Sequence, residues 1–115
     1  HLAEASSIIN ICDVFGERPL KDFAAYSASK AGLIMLTKSL ALELAPKTRV
    51  NAIAPGAMLP PELTGESDVL SHVLAHTPLG VMGGVSGLIQ TLLFILNQPS
   101  MTGQVIPVDG GLSID

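Results

Sequence analysis

Three short apolar stretches rich in β-branched residues alternate with longer segments of helical periodicity along the chain. Ser7-Ile8-Ile9-Asn10-Ile11 reads as a buried strand, and Val50-Asn51-Ala52-Ile53-Ala54 and Gln104-Val105-Ile106-Pro107-Val108 as a second and a third strand. Between the first two, Phe23 to Leu44 carries Leu33, Leu36, Leu40 and Leu44 at helical intervals, with Asp22 as its N-cap and Pro46 as its stop. Val85 to Asn97 forms a second helix, which Leu88, Leu92, Leu93, Ile95 and Leu96 make apolar almost all round. A short helix is expected over Ser67 to His76. It follows a loop from Ala57 to Gly65 that contains Pro60 and Pro61, and Val14 to Asp22 is another loop. Strands that alternate with helices pair in parallel through crossovers, so the pattern predicts a layered α/β fold in one small domain.

Composition narrows the partners. The formal net charge of −4 gives no basic excess, so nucleic acid is not an expected partner. Cys12 is the single cysteine, which excludes an internal disulfide and suits a reducing, cytoplasmic setting. The apolar stretches are interrupted by Lys30, Lys38 and Glu43, or broken by Gly and Pro, so no membrane span is expected. His1 to Ala5 lack the apolar core of a signal peptide. Hydrophobic residues make up 48% of the chain and charged ones 14%, which is apolar for a domain of this size and predicts faces that something else covers. The chain has no initiator Met and starts just before a strand, as though broken in mid-domain.

The candidate chemistry lies in Tyr26-Ser27-Ala28-Ser29-Lys30, with Asp13 thirteen residues before Tyr26. Four-residue spacing puts Tyr26 and Lys30 on one helix face, a turn apart. An ammonium held beside a phenol stabilises the phenolate and lowers its pKa from about 10, which makes Tyr26 a candidate proton donor or acceptor. Asp13 follows a strand, and the Pro55-Gly56 stop follows the next one. In open parallel sheets ligands bind beyond the strands' carboxyl ends, so these residues should gather at one edge. His72 and His76 share a helix face, but no third ligand is evident, and a surface pair is expected rather than a metal site. Cys12 reads as a small buried residue, and Glu17 with Arg18 as a solvated loop pair.

These motifs resemble the short-chain dehydrogenase/reductase family. The likeness runs from Ile8-Ile9-Asn10-Ile11 through Tyr26-Ser27-Ala28-Ser29-Lys30-Ala31 and Arg49-Val50-Asn51-Ala52-Ile53-Ala54-Pro55-Gly56. It continues more loosely through Thr77-Pro78-Leu79-Gly80 and closes on Thr102-Gly103-Gln104-Val105 and Asp109-Gly110-Gly111. The resemblance implies a Rossmann-type doubly wound parallel sheet, of which this chain is the C-terminal half. It also implies hydride transfer with a nicotinamide dinucleotide, NADPH. By the same resemblance Tyr26 is the catalytic acid/base. Lys30 lowers the tyrosine pKa and holds the nicotinamide ribose, and Pro55, Gly56, Ala57 and Met58 form the turn facing the carboxamide.

Asp13 departs from the general pattern, in which a serine binds the substrate carbonyl. An ionised carboxylate only accepts hydrogen bonds, so it matches a nitrogen heterocycle with N–H donors better than a ketone oxygen. An aspartate here resembles the pteridine reductases, as do the flanking Cys12 to Lys21 and Pro55 to Glu62. That resemblance implies NADPH-dependent reduction of a dihydropterin-type substrate, with Asp13, Tyr26 and Lys30 catalytic and Asp13 and Tyr26 binding the substrate. The alternatives are a general carbonyl or 3-oxoacyl thioester reductase, with Asp13 only a turn residue, and a non-catalytic dinucleotide-binding protein. The glycine-rich phosphate loop and the residue selecting NADP are expected upstream of His1. The 115-residue chain alone is therefore expected to bind dinucleotide weakly and to self-associate. Family members are commonly tetramers, and the small residues Ala24, Ala25, Ala28, Ala31 and Gly32 suit either such a contact or tight packing within the domain.

Overall fold

The computed structural model describes residues 5–16, 21–56, 72–81 and 83–114. Strand β1 (Ser6–Ile11), strand β2 (Thr48–Pro55) and strand β3 (Val105–Val108) form a parallel sheet in the order β1-β2-β3. Ile8 lies opposite Val50, Ile11 opposite Ile53, and Ile53 opposite Ile106. Helix α1 (Ala24–Leu44) connects β1 to β2, and helix α2 (Gly84–Leu96) precedes β3. The α/β class read from the sequence is the observed one.

β2 is the middle strand of the three. Val50, Asn51, Ala52, Ile53 and Ala54 are all wholly buried, and a strand covered on both faces reads as a continuous apolar run. It begins two residues before the expected strand, because Thr48 joins the ladder with its Oγ1 2.8 Å from Ser6 Oγ on β1. It also includes Pro55, which was expected as the stop. β3 is an edge strand among the described residues, so Pro107 is tolerated within it.

α1 differs from expectation at its start and in its buried face. Asp22 has φ +69 and Phe23 occupies the N-cap without a side-chain bond, so Asp22 does not cap the helix. A capping residue needs extended backbone, which the left-handed conformation excludes. The buried positions are Ile34, Thr37 and Ala41, whereas Leu36 of the leucine series is exposed. The helix lies over small residues of β2: Ile34 packs with Cys12, Ala52 and Ala54, with Leu33 at the margin. A close approach of this kind favours compact side chains at the contact. Thr37 is fully buried yet satisfied, since its hydroxyl accepts from Asn10 Nδ2 at 2.9 Å and donates to Leu33 O at 2.9 Å. That pair fixes α1 on β1.

α2 starts one residue earlier than expected and ends one earlier, with the Asn97 backbone N–H bonded back to its last turn. Ile95 is its buried residue, while Val85, Ile89, Leu93 and Phe94 are about half exposed. Among the described residues no helix is long and apolar enough to cross a membrane. Of the helix expected over Ser67 to His76, residues 72–75 are helical and 67–71 lie outside the described residues, as does the expected loop over 57–65.

The segment between α2 and β3 is tied to β2 by polar side chains. Arg49 donates from Nη1 to Met101 O at 3.0 Å and from Nη2 to Leu96 O at 3.3 Å. Asn51 donates from Nδ2 to Met101 O at 2.9 Å and accepts at Oδ1 from the Gln104 N–H at 3.1 Å. Thr102 Oγ1 accepts from the Val50 N–H, and Gly103 N–H donates to Val50 O. Truncating Asn51, itself wholly buried, removes one of the two donors to Met101 O and leaves the Gln104 N–H without this acceptor. Asn51→Ala is expected to lower the unfolding free energy by about 2–4 kcal/mol in urea titration, and a loss below about 0.5 kcal/mol would contradict this role.

Candidate active site

All three strands end on the same edge, which brings Asp13, Gly56 and Asp109 together in the region where open α/β sheets bind ligands. After β1 the chain forms a short 3-10 turn, Val14–Gly16, closed by the Gly16 N–H donating to Asp13 O at 2.9 Å. This turn lies directly on α1. A Cβ at Gly16 would fall 2.8 Å from Lys30 C, 2.9 Å from Lys30 O and 2.8 Å from Ile34 Cδ1. Only glycine allows that approach, and it sets the Asp13 carboxylate beside the helix one turn before Lys30. Tyr26 Oη there donates to Asp13 Oδ2 at 2.7 Å. Lys30 Nζ lies 5.6 Å from the centre of the Tyr26 ring.

The three residues singled out in the sequence therefore meet, but with a contact the sequence did not reveal. Lys30 favours the phenolate of Tyr26, whereas a carboxylate accepting the phenol's hydrogen bond favours the neutral form. Two charges of opposite sign act on one hydroxyl.

Pro55 is buried at the end of β2. A Cβ at Gly56 would come within 3.1 Å of Asp109 Cα and Cβ, so glycine permits this close crossing of the two strand ends. Ala57 and Met58 lie outside the described residues. The Asp109 carboxylate accepts from the Gly111 N–H at 3.0 Å and the Ser113 N–H at 2.8 Å. Burial pushes its pKa up, but the hydrogen bonds from Ser113 and Gly111 outweigh this and hold it below the ordinary carboxylate value. The turn so held, Leu112–Ile114, presents Leu112 to Val14 and Val73 in a buried cluster behind Asp13. On the same side Gly110, with φ +64, packs against Thr77, and the Leu79 N–H donates to Gly110 O at 2.9 Å.

Gly16, Asp109 and Leu112 were not singled out as site residues. Asp109-Gly110-Gly111 was visible as a motif, but nothing local indicates that its carboxylate braces the segment behind Asp13. Cys12 is buried against Ile34, Ala52 and Ala54. The His72 and His76 rings lie 4.4 Å apart, and among the described residues no three metal-ligating side chains cluster.

A sequence profile described as enoyl-(acyl carrier protein) reductase matches residues 1–113. The chain belongs to the short-chain dehydrogenase/reductase family. It is 39% identical over 114 residues to carbonyl reductase family member 4 of Danio rerio, covering 98% of this chain and 47% of that protein. It is 37% identical over 114 residues to the 3-oxoacyl-[acyl-carrier-protein] reductase of Rattus norvegicus, covering 98% of this chain and 48% of that protein. Among solved structures, FolM alternative dihydrofolate reductase 1 of Brucella canis, complexed with NADP, aligns with a TM-score of 0.83 at 33% identity, covering 95% of this chain and 43% of that one. This short-chain dehydrogenase/reductase chain thus spans about half the length of the relatives it matches.

Asp109 gives this family member a pH-dependent brace. Because its folded pKa lies below the ordinary 3.8, its contribution to stability is fully present above that value and is lost as pH falls through the folded one. Thermal unfolding of Asp109→Asn should therefore differ most from the native chain near neutral pH and converge with it in strong acid. A gap that stays constant across that range would contradict the assignment.

Proposed function

We propose that this chain supplies the substrate edge of an NADPH-dependent pteridine reductase that reduces a dihydropterin-type C=N bond. The observation that carries the reading is the Asp13 carboxylate in direct hydrogen bond with Tyr26 Oη at the carboxyl edge of the sheet. A carboxylate oxygen accepts more than one hydrogen bond, so Asp13 keeps acceptor capacity for a ring N–H or amino group while it holds Tyr26. A ketone oxygen offers it no donor. Tyr26 then delivers its proton, directly or through a water on Asp13, to the ring nitrogen beside the carbon being reduced. Lys30 stabilises the phenolate that this leaves.

The donor set suits a nicotinamide dinucleotide. The Tyr26 phenol and Lys30 ammonium match ribose hydroxyls, and the Pro55–Gly56 backbone, pinned against Asp109, suits the carboxamide; the family resemblance adds Ala57 and Met58 to that turn. When bound, that cofactor supplies the hydride. The NADP held by the Brucella canis relative supports this choice. The proposal extends to a cytoplasmic homotetramer, in which the exposed Ala24, Ala25, Ala28, Ala31 and Gly32 face of α1 lies at a subunit contact.

A second reading, a carbonyl or 3-oxoacyl thioester reductase, is favoured by the Danio rerio and Rattus norvegicus relatives. Asp13→Ser in the whole enzyme separates the two. The pteridine reading expects dihydropterin reduction to fall about a hundredfold or more while Tyr26→Phe nearly abolishes it. Undiminished pterin turnover, or ketone reduction that holds or rises as the main activity of Asp13→Ser, favours the second.

A further inference from the structure

We propose that Asp109 is a positioning residue for the cofactor. By fixing the Pro55–Gly56 turn from the neighbouring strand end, it sets how tightly the nicotinamide end is held. The proposal rests on the reading above that this turn faces the carboxamide, and not on the choice of substrate. Pro55 pairs with Val108 in the ladder between β2 and β3, so the turn leaves the sheet beside Asp109. A Cβ at Gly56 would lie 3.1 Å from Asp109 Cα and Cβ and 3.2 Å from its carbonyl oxygen. The two backbones are in direct contact there, and a shift of Asp109 towards β2 must move Gly56. The Gly56 N–H donates to Val108 O at 3.4 Å, a long bond that gives the turn little hold of its own.

What holds Asp109 is its own side chain. The Gly111 N–H donates to Oδ1 at 3.0 Å and the Ser113 N–H to Oδ2 at 2.8 Å, so each carboxylate oxygen is committed to a different backbone donor. Bonds to an ionised acceptor are roughly twice as strong as neutral ones. They draw the chain after β3 into a turn with Gly110 at φ +64 and Gly111 at φ +94.

The far side of that turn is clamped. Leu112 is buried against Val14 and Val73, the Leu79 N–H donates to Gly110 O at 2.9 Å, and Gly111 packs on Pro78. The turn is thus fixed to packed segments on one side and touches Gly56 on the other, with the carboxylate joining the two. An amide cannot take its place. In Asp109→Asn one oxygen becomes an NH2 group that faces a backbone N–H, donor against donor.

The experiment is calorimetric titration of the whole enzyme with NADPH and, separately, with phospho-ADP-ribose, the part of the cofactor that lacks the nicotinamide ring. Both are run well below each variant's unfolding midpoint. Asp109→Asn should raise the NADPH dissociation constant about tenfold, the scale of one lost charge-assisted hydrogen bond, and leave that of phospho-ADP-ribose unchanged. Asp109→Ser, which retains one acceptor oxygen, serves the same purpose should Asp109→Asn not fold. Gly56→Ala, whose methyl meets Asp109, should weaken NADPH in the same selective way. Equal weakening of both ligands in Asp109→Asn would make the residue a general stabiliser and overturn the proposal. So would unchanged NADPH affinity in Asp109→Asn beside a loss in Gly56→Ala. Unchanged NADPH affinity in Gly56→Ala overturns the reading of the turn, and the proposal with it. No substrate enters the titration, so pterin turnover, measured separately, judges the substrate reading on its own.

Discussion

The site depends on one close contact, the backbone of Gly16 lying against the backbone of Lys30. Without it the turn after β1 would stand off α1, and the Asp13 carboxylate would not reach the hydroxyl one helical turn earlier. The contact joins two elements that the sheet already holds in register, so the Asp13–Tyr26 distance follows from packing rather than from loop conformation. A site built on the end of a strand and the face of a packed helix keeps its geometry better than one on a loop.

The rest of the sheet serves as a rigid support for that contact. Asn10 and Thr37 fix α1 to β1 through buried hydrogen bonds, and β2 is enclosed on both faces. At the opposite edge from the site, Arg49 and Asn51 tie the segment before β3 to β2. At the site edge, Asp109 folds the 3-10 turn that carries Leu112 into the cluster with Val14 and Val73. These ties place charged or amide groups at both ends of β3, which has four residues, and leave its centre to apolar pairing. The exposed apolar residues of α2 are the surface that this small sheet does not cover.

The three strands and the two long helices were legible because each is a mostly apolar run or helical period bounded by turn residues, and Tyr26, Lys30 and Asp13 were legible because their residue types stand out at those positions. What was not legible depends on three-dimensional approach. The leucine series of α1 suggested one face, but small residues on β2 draw Ile34, Thr37 and Ala41 inward instead. Asp22 has the composition of a cap and the backbone conformation of a turn. Gly16 looked like an ordinary loop glycine, since the helix it touches begins eight residues later in sequence. The sign of the Asp13 effect on Tyr26 likewise required knowing that the two side chains touch.

The most direct test of this account is the steady-state rate of the proposed dihydropterin reduction by Gly16→Ala relative to the native protein, measured in the whole enzyme alongside its unfolding midpoint. The added methyl must displace the turn from Lys30, and a misplacement of about 1 Å at a catalytic pair can cost about a hundredfold in rate. The account predicts a loss of that order in a protein that still unfolds cooperatively. A folded Gly16→Ala enzyme that reduces the pterin at the native rate would contradict it.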